Sequence, residues 1–476
     1  MSLRHDDPRR APCTRWGPPG RAFVVDGAAV QRVNRAPAPT LSRHRSRFEP
    51  AALATWAVAL FVFSIPFETG VTIPGLGSVT RLVGMFAIAV TLLSLVEDGR
   101  LRIRMPSIFL MVVAAYVTWT ALTYFWSIDP SRTVGRISTS VQLVAMVWMI
   151  HQLATTDRRR DILAQAFVLG AYASIVVALA IFFSSPQPEF RNIGSMDPNR
   201  FATGGALAIP VAWGLALRLR SRALFWLNAL YPLLAVVAVV LAASRGGLFT
   251  ALVALAVVPL AAPRLSPARR TVVLLALVIL TWGVFSLAPR AFPELQRNLS
   301  RLEAAGDEIE SGTLTGRTAI WSAGLEAWQA SPLVGLGAGT FSIAAEDTLG
   351  RRRGAHNGYL AVAVGAGAIG LMLYLALFAT VAAGVASARA HRTESLVLLA
   401  ALMVALVPLN IEHRQNTWFI LGWLAAASPI MVTLSKTAAL RVGSSNLGAA
   451  PPPRAVAASS GYGSERLPRR LHRGDP

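Results

Sequence analysis

Long uninterrupted apolar runs dominate this 476-residue chain. A helix needs about twenty apolar residues to cross the hydrocarbon core of a bilayer. Such runs lie near residues 51–66, 79–96, 107–126, 137–154, 162–184, 201–218, 223–242, 245–262, 271–289, 357–388, 395–411 and 417–435. Backbone amides in lipid must be paired within the protein, so an open sheet or bare loop is excluded there. The patterning therefore predicts an all-α integral membrane protein with about twelve transmembrane helices. Only 14% of residues are charged, against about a quarter in soluble chains. The tenth run is long enough to be tilted or to begin along the interface.

Charge placement orients these runs. The formal net charge is +21, which on a soluble surface would suggest nucleic acid. The arginines lie elsewhere: Arg100, Arg102 and Arg104, then Arg158 to Arg160, then Arg218, Arg220 and Arg222, then Arg264, Arg269 and Arg270, then Arg389 and Arg392. These fall in every second loop, and both tails are also arginine-rich. The positive-inside rule then predicts twelve spans with both termini cytoplasmic. Membrane lipids are the expected surroundings, and no nucleic acid partner is expected. Residues 1–49 and 437–476 read as disordered tails, and 50–436 as the transmembrane domain. No cleavable signal peptide is expected at the start. Cys13 is the single cysteine, so no intramolecular disulfide can form.

A second group of arginines falls on the predicted outer side: Arg81, Arg132, Arg136, Arg191, Arg200, Arg245, Arg317, Arg351 to Arg353 and Arg414. Arginine is disfavoured there, so each needs a reason. For Arg132, Arg136 and Arg351 to Arg353 a plain one suffices, since rim arginines can reach headgroups. An outer loop over about 290–356 carries acidic residues (Glu303, Asp307, Glu308, Glu310), then Gly316-Arg317 and a helical pattern closed by Ser331-Pro332. Ile320, Trp321, Leu325 and Trp328 share one broad face, suited to the membrane–water boundary. Gly335, Gly337 and Gly339 permit a tight backbone path, open to a ligand. His356 and His413 are the histidines on this side, and neither has a partner at metal-ligand spacing. A histidine at a helix start can be no more than a capping residue.

Asp197-Pro198-Asn199-Arg200-Phe201-Ala202, Ser244-Arg245-Gly246-Gly247, Gly316-Arg317 with Trp321, Pro332 with Gly335-Leu336-Gly337, and His356-Asn357-Gly358-Tyr359-Leu360 with Gly367 and Gly370-Leu371 occur in that order. Their order and placement over roughly 185–410 resemble the O-antigen ligase and polymerase family. The resemblance implies a membrane-type (C-type) glycosyltransferase fold. It implies an enzyme that takes a glycan from undecaprenyl diphosphate on the periplasmic face. Ligases pass the glycan to lipid A core, and polymerases pass it to another carrier-linked glycan. It further implies inversion, no metal and no cofactor. The family's functional arginines and histidine map onto Arg245, Arg317 and His356 as catalytic residues, with Arg200 less securely placed. Asn199, Arg191, Arg81, Trp321 and Asn357 are the accompanying substrate-binding candidates.

The residue types suit that chemistry. A diphosphate leaving group gains negative charge, and guanidinium forks grip its oxygens bidentately. His356 could take the acceptor's proton or donate to the diphosphate. Glu346 and Asp347, with the four acidic residues above, are fallback bases. A twelve-span transporter is the rival class, but it would favour two related halves and mid-span breaks, and the sequence has no internal repeat. A nonenzymatic flippase or scaffold for glycan assembly is a lesser alternative.

Overall fold

The computed structural model describes residues 50–68, 72–73, 77–97, 100–101, 103–184, 197–256, 266–291, 316–388 and 391–427. The chain divides into units 1–47 and 48–476. The first lies outside the described residues, as do both predicted tails, Arg191, and the acidic stretch 303–310.

The second unit is helical: α1 (Pro50–Ser64), α2 (Val79–Ser94), α3 (Ile108–Leu122), α4 (Pro130–Leu153), α5 (Asp157–Ser184), α6 (Pro198–Arg218), α7 (Arg222–Ala242), α8 (Arg245–Leu255) and α9 (Pro267–Ala291). After these come α10 (Arg317–Gln329), the short α11 (Phe341–Ala344) and α12 (Glu346–Leu349), α13 (Gly358–Ser387), α14 (Arg392–Ala405) and α15 (Gln415–Ala426). Two antiparallel ladders, 72–73 with 77–78 and 96–97 with 100–101, close loops beside α2.

Each predicted apolar run overlaps one of these helices, but their bounds and lengths differ. Among the described residues, seven helices are long and apolar enough to cross a membrane: α1 with its 3-10 extension to Phe67, α3 with its extension to Trp126, and α4, α5, α6, α7 and α13. Apolar α2 and α8 are shorter. At 1.5 Å per residue, the 11-residue α8 covers about 16 Å, roughly half the hydrocarbon thickness. The outward faces carry Trp56, Leu60, Phe86, Leu93, Ile279 and Trp282, all more than half exposed. A surface this apolar belongs in lipid, and the chain is a multi-pass membrane protein.

The central helix is α6, packed on α5, α7, α8 and α14. Its small residues permit close approach. A side chain at Gly247 of α8 would meet Ala202 at 2.4 Å, and Tyr231 of α7 donates its hydroxyl proton to the Gly205 carbonyl at 2.9 Å. At its C-terminal end Arg218 pairs with Asp161 at 3.2 Å and Glu394 at 3.3 Å. The ion cluster ties α5, α6 and α14 together at the end carrying the predicted inner arginines.

The excess length of the tenth run has a structural cause. Gly367 lies at φ 69°, ψ −172° and breaks α13 into 358–366 and 368–387. The loop after α10 docks into the break. Leu336 and Gly337 donate their N–H to the carbonyls of Val364 and Gly365, and Ala368 and Ile369 donate to Pro332 and Leu333. Trp119 of α3 donates its indole N–H to Ala366 at 2.8 Å. Amides freed by the break are thus paired inside the protein, as lipid requires. The alternating glycines serve this docking: at Gly335 and Gly337 a Cβ would meet Gly367 N at 2.5 Å and Ser127 Oγ at 2.1 Å.

Candidate functional site

Helix N-termini converge at the end of the bundle opposite the Arg218 cluster. Asp197 caps α6 by accepting from the amides of Asn199 at 2.8 Å and Arg200 at 3.2 Å. Ser244 caps α8, accepting from the Gly247 amide at 3.0 Å while donating its hydroxyl proton to Asn199 Oδ1 at 2.8 Å. That bond joins the starts of α6 and α8 and brings Arg200 and Arg245 to one place. Asn357 caps α13 by accepting from the Leu360 amide, and its own amide donates to Asn410 in the turn before α15. Each helix N-terminus presents unpaired amides and about half a positive charge. Several together favour an anion.

His356 sits within this convergence, half-buried, with φ 44°. Ala243, also the residue before an N-cap, has φ 45°. Left-handed backbone at non-glycine positions stores strain and concentrates at functional sites. Here it turns two loops sharply into the starts of α8 and α13. Burial pushes the His356 imidazole below its ordinary pKa; Arg317 and then Arg353 add to the effect, and Asp197 opposes it. The ring is therefore neutral near pH 7 and lies in the field of Arg317, at the start of α10. Trp321, one turn on, donates its indole N–H to the Ala355 carbonyl at 3.1 Å.

Trp321, Asn357 and Asn199 each make a side-chain hydrogen bond within the protein. Arg81 is exposed at the start of α2, where its amide donates to Ser78. Glu346 pairs with Arg352 at 2.8 Å, and Asp347 is exposed. Among the described residues no group of three or more His, Cys, Asp or Glu could hold a metal ion.

Two features went unforeseen. Arg136, expected at a rim, turns inward to Glu412 at 3.6 Å. Glu412 is buried, and its Oε1 accepts from His413 Nδ1 at 2.8 Å. Burial would raise the Glu412 carboxyl, but His413 and Arg136 outweigh it and hold it down to about 2. His413 is pushed down to about 4, first by burial, with Arg136 and Arg414 adding. The pair lines a cavity of about 190 Å³ with Tyr116 and Trp418 as aromatic walls. Gly354 and Ala355, the two residues just before His356, also line it. The second feature is Glu68, raised by burial against the pull of Arg414 and Arg200, in a smaller cavity at the start of α6. The sequence signal for both was the run Glu412-His413-Arg414, three ionisable residues between two apolar spans.

A polytopic helical membrane protein with a basic, anion-favouring end is the class these features define. Residues 230–375 match the family model described as O-antigen ligase. That stretch is similar to the O-antigen ligase family, and the rest of the chain lies outside the match. The match takes in Arg245, Arg317, Trp321 and His356, while the Asp197–Ala202 segment lies outside it. The chain is also similar to the exopolysaccharide production protein ExoQ of Rhizobium meliloti (strain 1021), with 26% identity over 296 residues, 56% of this chain. It spans 63% of that relative's length. No solved structure matches the chain.

Proposed function

We propose that this protein is a ligase-like glycosyltransferase that moves a glycan from undecaprenyl diphosphate to lipid A core or a similar acceptor. In this reading the chain has twelve spans, a C-type glycosyltransferase fold and both termini in the cytoplasm. Its site faces the periplasm. The observation that supports it best is the convergence of capped helix N-termini around neutral His356, with Arg200, Arg245, Arg317 and Arg353 at or beside them. Preorganised positive charge in a partly dry site stabilises a leaving group, on the order of 3 kcal/mol per donor.

The acceptor hydroxyl oxygen forms a bond to the anomeric carbon as the bond from that carbon to the diphosphate oxygen breaks. The diphosphate leaves with the electron pair, and Arg245 and Arg317 take up its charge. His356 accepts the acceptor's proton. The same arginines that depress His356 are neutralised when the diphosphate binds, so the ring gains proton affinity once the donor is seated. Arg200, at the start of α6, would add a further grip on the diphosphate. No step in this scheme calls on a metal or cofactor.

The named relative favours a second reading. An exopolysaccharide production protein as a relative suits a polymerase that uses the same donor and passes the glycan to another carrier-linked chain. Expression in two bacterial mutants, one lacking the ligase and one the polymerase, separates the two. Restored long-chain lipopolysaccharide in the first supports ligation, and restored chain length in the second supports polymerisation. Transfer retained in both Arg245→Ala and Arg317→Ala variants overturns the donor site.

A further inference from the structure

The cavity walled in part by Gly354 and Ala355 contains polar atoms that the protein itself leaves without partners. Glu412 Oε2 and Arg136 Nη1 are both shielded from solvent, and neither has a hydrogen-bond partner among the described residues. Their ion contact runs through Glu412 Oε1 and, at 3.6 Å, is too long for a hydrogen bond. Buried polar groups without partners are costly and rare, and each calls for a reason. Glu412 is 6% exposed and yet faces a cavity of about 190 Å³. At about 30 Å³ per water, that is room for roughly six waters or for one pyranose ring.

The chemistry of the wall selects among ligands. A carboxylate oxygen that accepts lies beside a guanidinium that donates, which suits two neighbouring hydroxyls of one ring. An anion would meet the Glu412 charge and a cation the charges of Arg132 and Arg136, all in the same wall. Ser342 Oγ, which accepts from Arg132 at 3.1 Å, still has a hydroxyl proton to offer. Tyr116 and Trp418 supply flat apolar surface, and aromatic faces pack well against apolar groups. A neutral polyol with one apolar face satisfies every part.

We propose that this cavity is a subsite for a single sugar ring, gripped by Arg136 and Glu412 and walled in part by Gly354 and Ala355, the residues just before His356. The inference rests on the glycosyltransferase reading above and adds the place where a sugar of the donor glycan or of the acceptor is held. Arg136 and Glu412 are binding residues in it, and His413 positions the Glu412 carboxylate through Oε1.

The test uses the full chain in lipid nanodiscs with two probes. One is the repeat-unit oligosaccharide released by mild acid from the source cell's own surface polysaccharide. The other is undecaprenyl diphosphate without sugar. Saturation-transfer NMR should detect the oligosaccharide on the wild type. Glu412→Gln should weaken its binding at least tenfold, with undecaprenyl diphosphate binding unchanged. Because Glu412→Gln also disturbs a buried ion contact, Ala361→Leu is the second variant. It fills the same cavity from α13 and leaves the pair intact. In turnover, a raised KM for the acceptor in Ala361→Leu assigns the ring to the acceptor, and a raised KM for the donor assigns it to the donor. Wild-type oligosaccharide binding in folded Ala361→Leu, or no oligosaccharide binding to the wild type, overturns the subsite and leaves a cavity for water only. Failure of the wild type to bind undecaprenyl diphosphate would instead count against the donor reading, with the sugar result still standing.

Discussion

Gly367→Ala should release the loop that carries one wall of the site. The native backbone there, φ 69° and ψ −172°, is a region essentially reserved for glycine, costing about 1–3 kcal/mol for any other residue. Space is shorter still. A Cβ would stand 2.1 Å from the Leu333 carbonyl oxygen and 2.5 Å from the Val334 nitrogen, both backbone atoms. The loop must move, and four backbone hydrogen bonds across the break go with it: those of Leu336, Gly337, Ala368 and Ile369. At about 1 kcal/mol each they total roughly 4 kcal/mol, part of which α13 regains if it straightens. A local loss of about 3 kcal/mol corresponds to roughly 100-fold faster amide exchange. Exchange at Leu336 and Gly337, followed in detergent or nanodiscs, reads it directly, and transfer activity should fall because Ala338 and Gly339 line the cavity. Gly350→Ala is the control. Gly350 also has positive φ, 63°, but nothing lies within 4 Å of its would-be Cβ, so the cost is about 1 kcal/mol with no effect on those amides. Wild-type exchange at Leu336 and Gly337 in a folded Gly367→Ala protein would refute the reasoning.

Further outcomes follow from the same geometry. Arg317→Lys keeps the charge but loses the planar fork, and transfer should drop by about 100-fold in an assay with purified lipid-linked donor. Because the His356 pKa is lowered, its neutral form prevails at pH 7, and activity should fall only as the pH drops through that lowered value. Arg353→Ala removes one of the cations responsible, so the acid limb of the pH–rate profile should move to higher pH; an unmoved limb would separate His356 from the proton transfer. Ser244→Ala removes both a cap and the bond to Asn199, and should cost about 1–2 kcal/mol in thermal unfolding together with a loss of transfer. Arg218→Ala leaves Asp161 without its guanidinium and Glu394 with only His391 at 3.4 Å at the far end. It should destabilise by about 3 kcal/mol while kcat per folded molecule holds, as active-site titration would show.

Helix placement was legible because lipid demands long apolar runs and because Asp197-Pro198, Ser244 and Asn357 are strong starts of helices. The break at Gly367 was not legible. It lies inside an unbroken apolar run, and its cause is a partner segment some thirty residues earlier in the chain, which periodicity does not report. Arg317 and His356 stood out as polar residues at helix starts, and the structure brings them together. Glu412 showed only as one of three ionisable residues between two apolar spans; its burial and its pairing with Arg136, far away in sequence, were not legible. A long-range ion contact leaves no local pattern. The same holds for the indole N–H of Trp321, engaged by the Ala355 carbonyl from another stretch of the chain.

The docking of residues 332–340 onto the Gly367 break also bears on how such proteins can diverge. The loop is latched to α13 by backbone bonds, to the 3-10 extension of α3 through Thr123 and Trp126, to the turn before α4 through Ile128, and to α4 through Thr133. It is therefore not a detachable cassette. A chimaera that borrows the loop from a relative must bring the glycine break and the α3–α4 corner with it. On the glycosyltransferase reading proposed above, a change of acceptor made through this loop calls for co-inheritance of three distant stretches of sequence, and a new loop grafted alone should fail to seat.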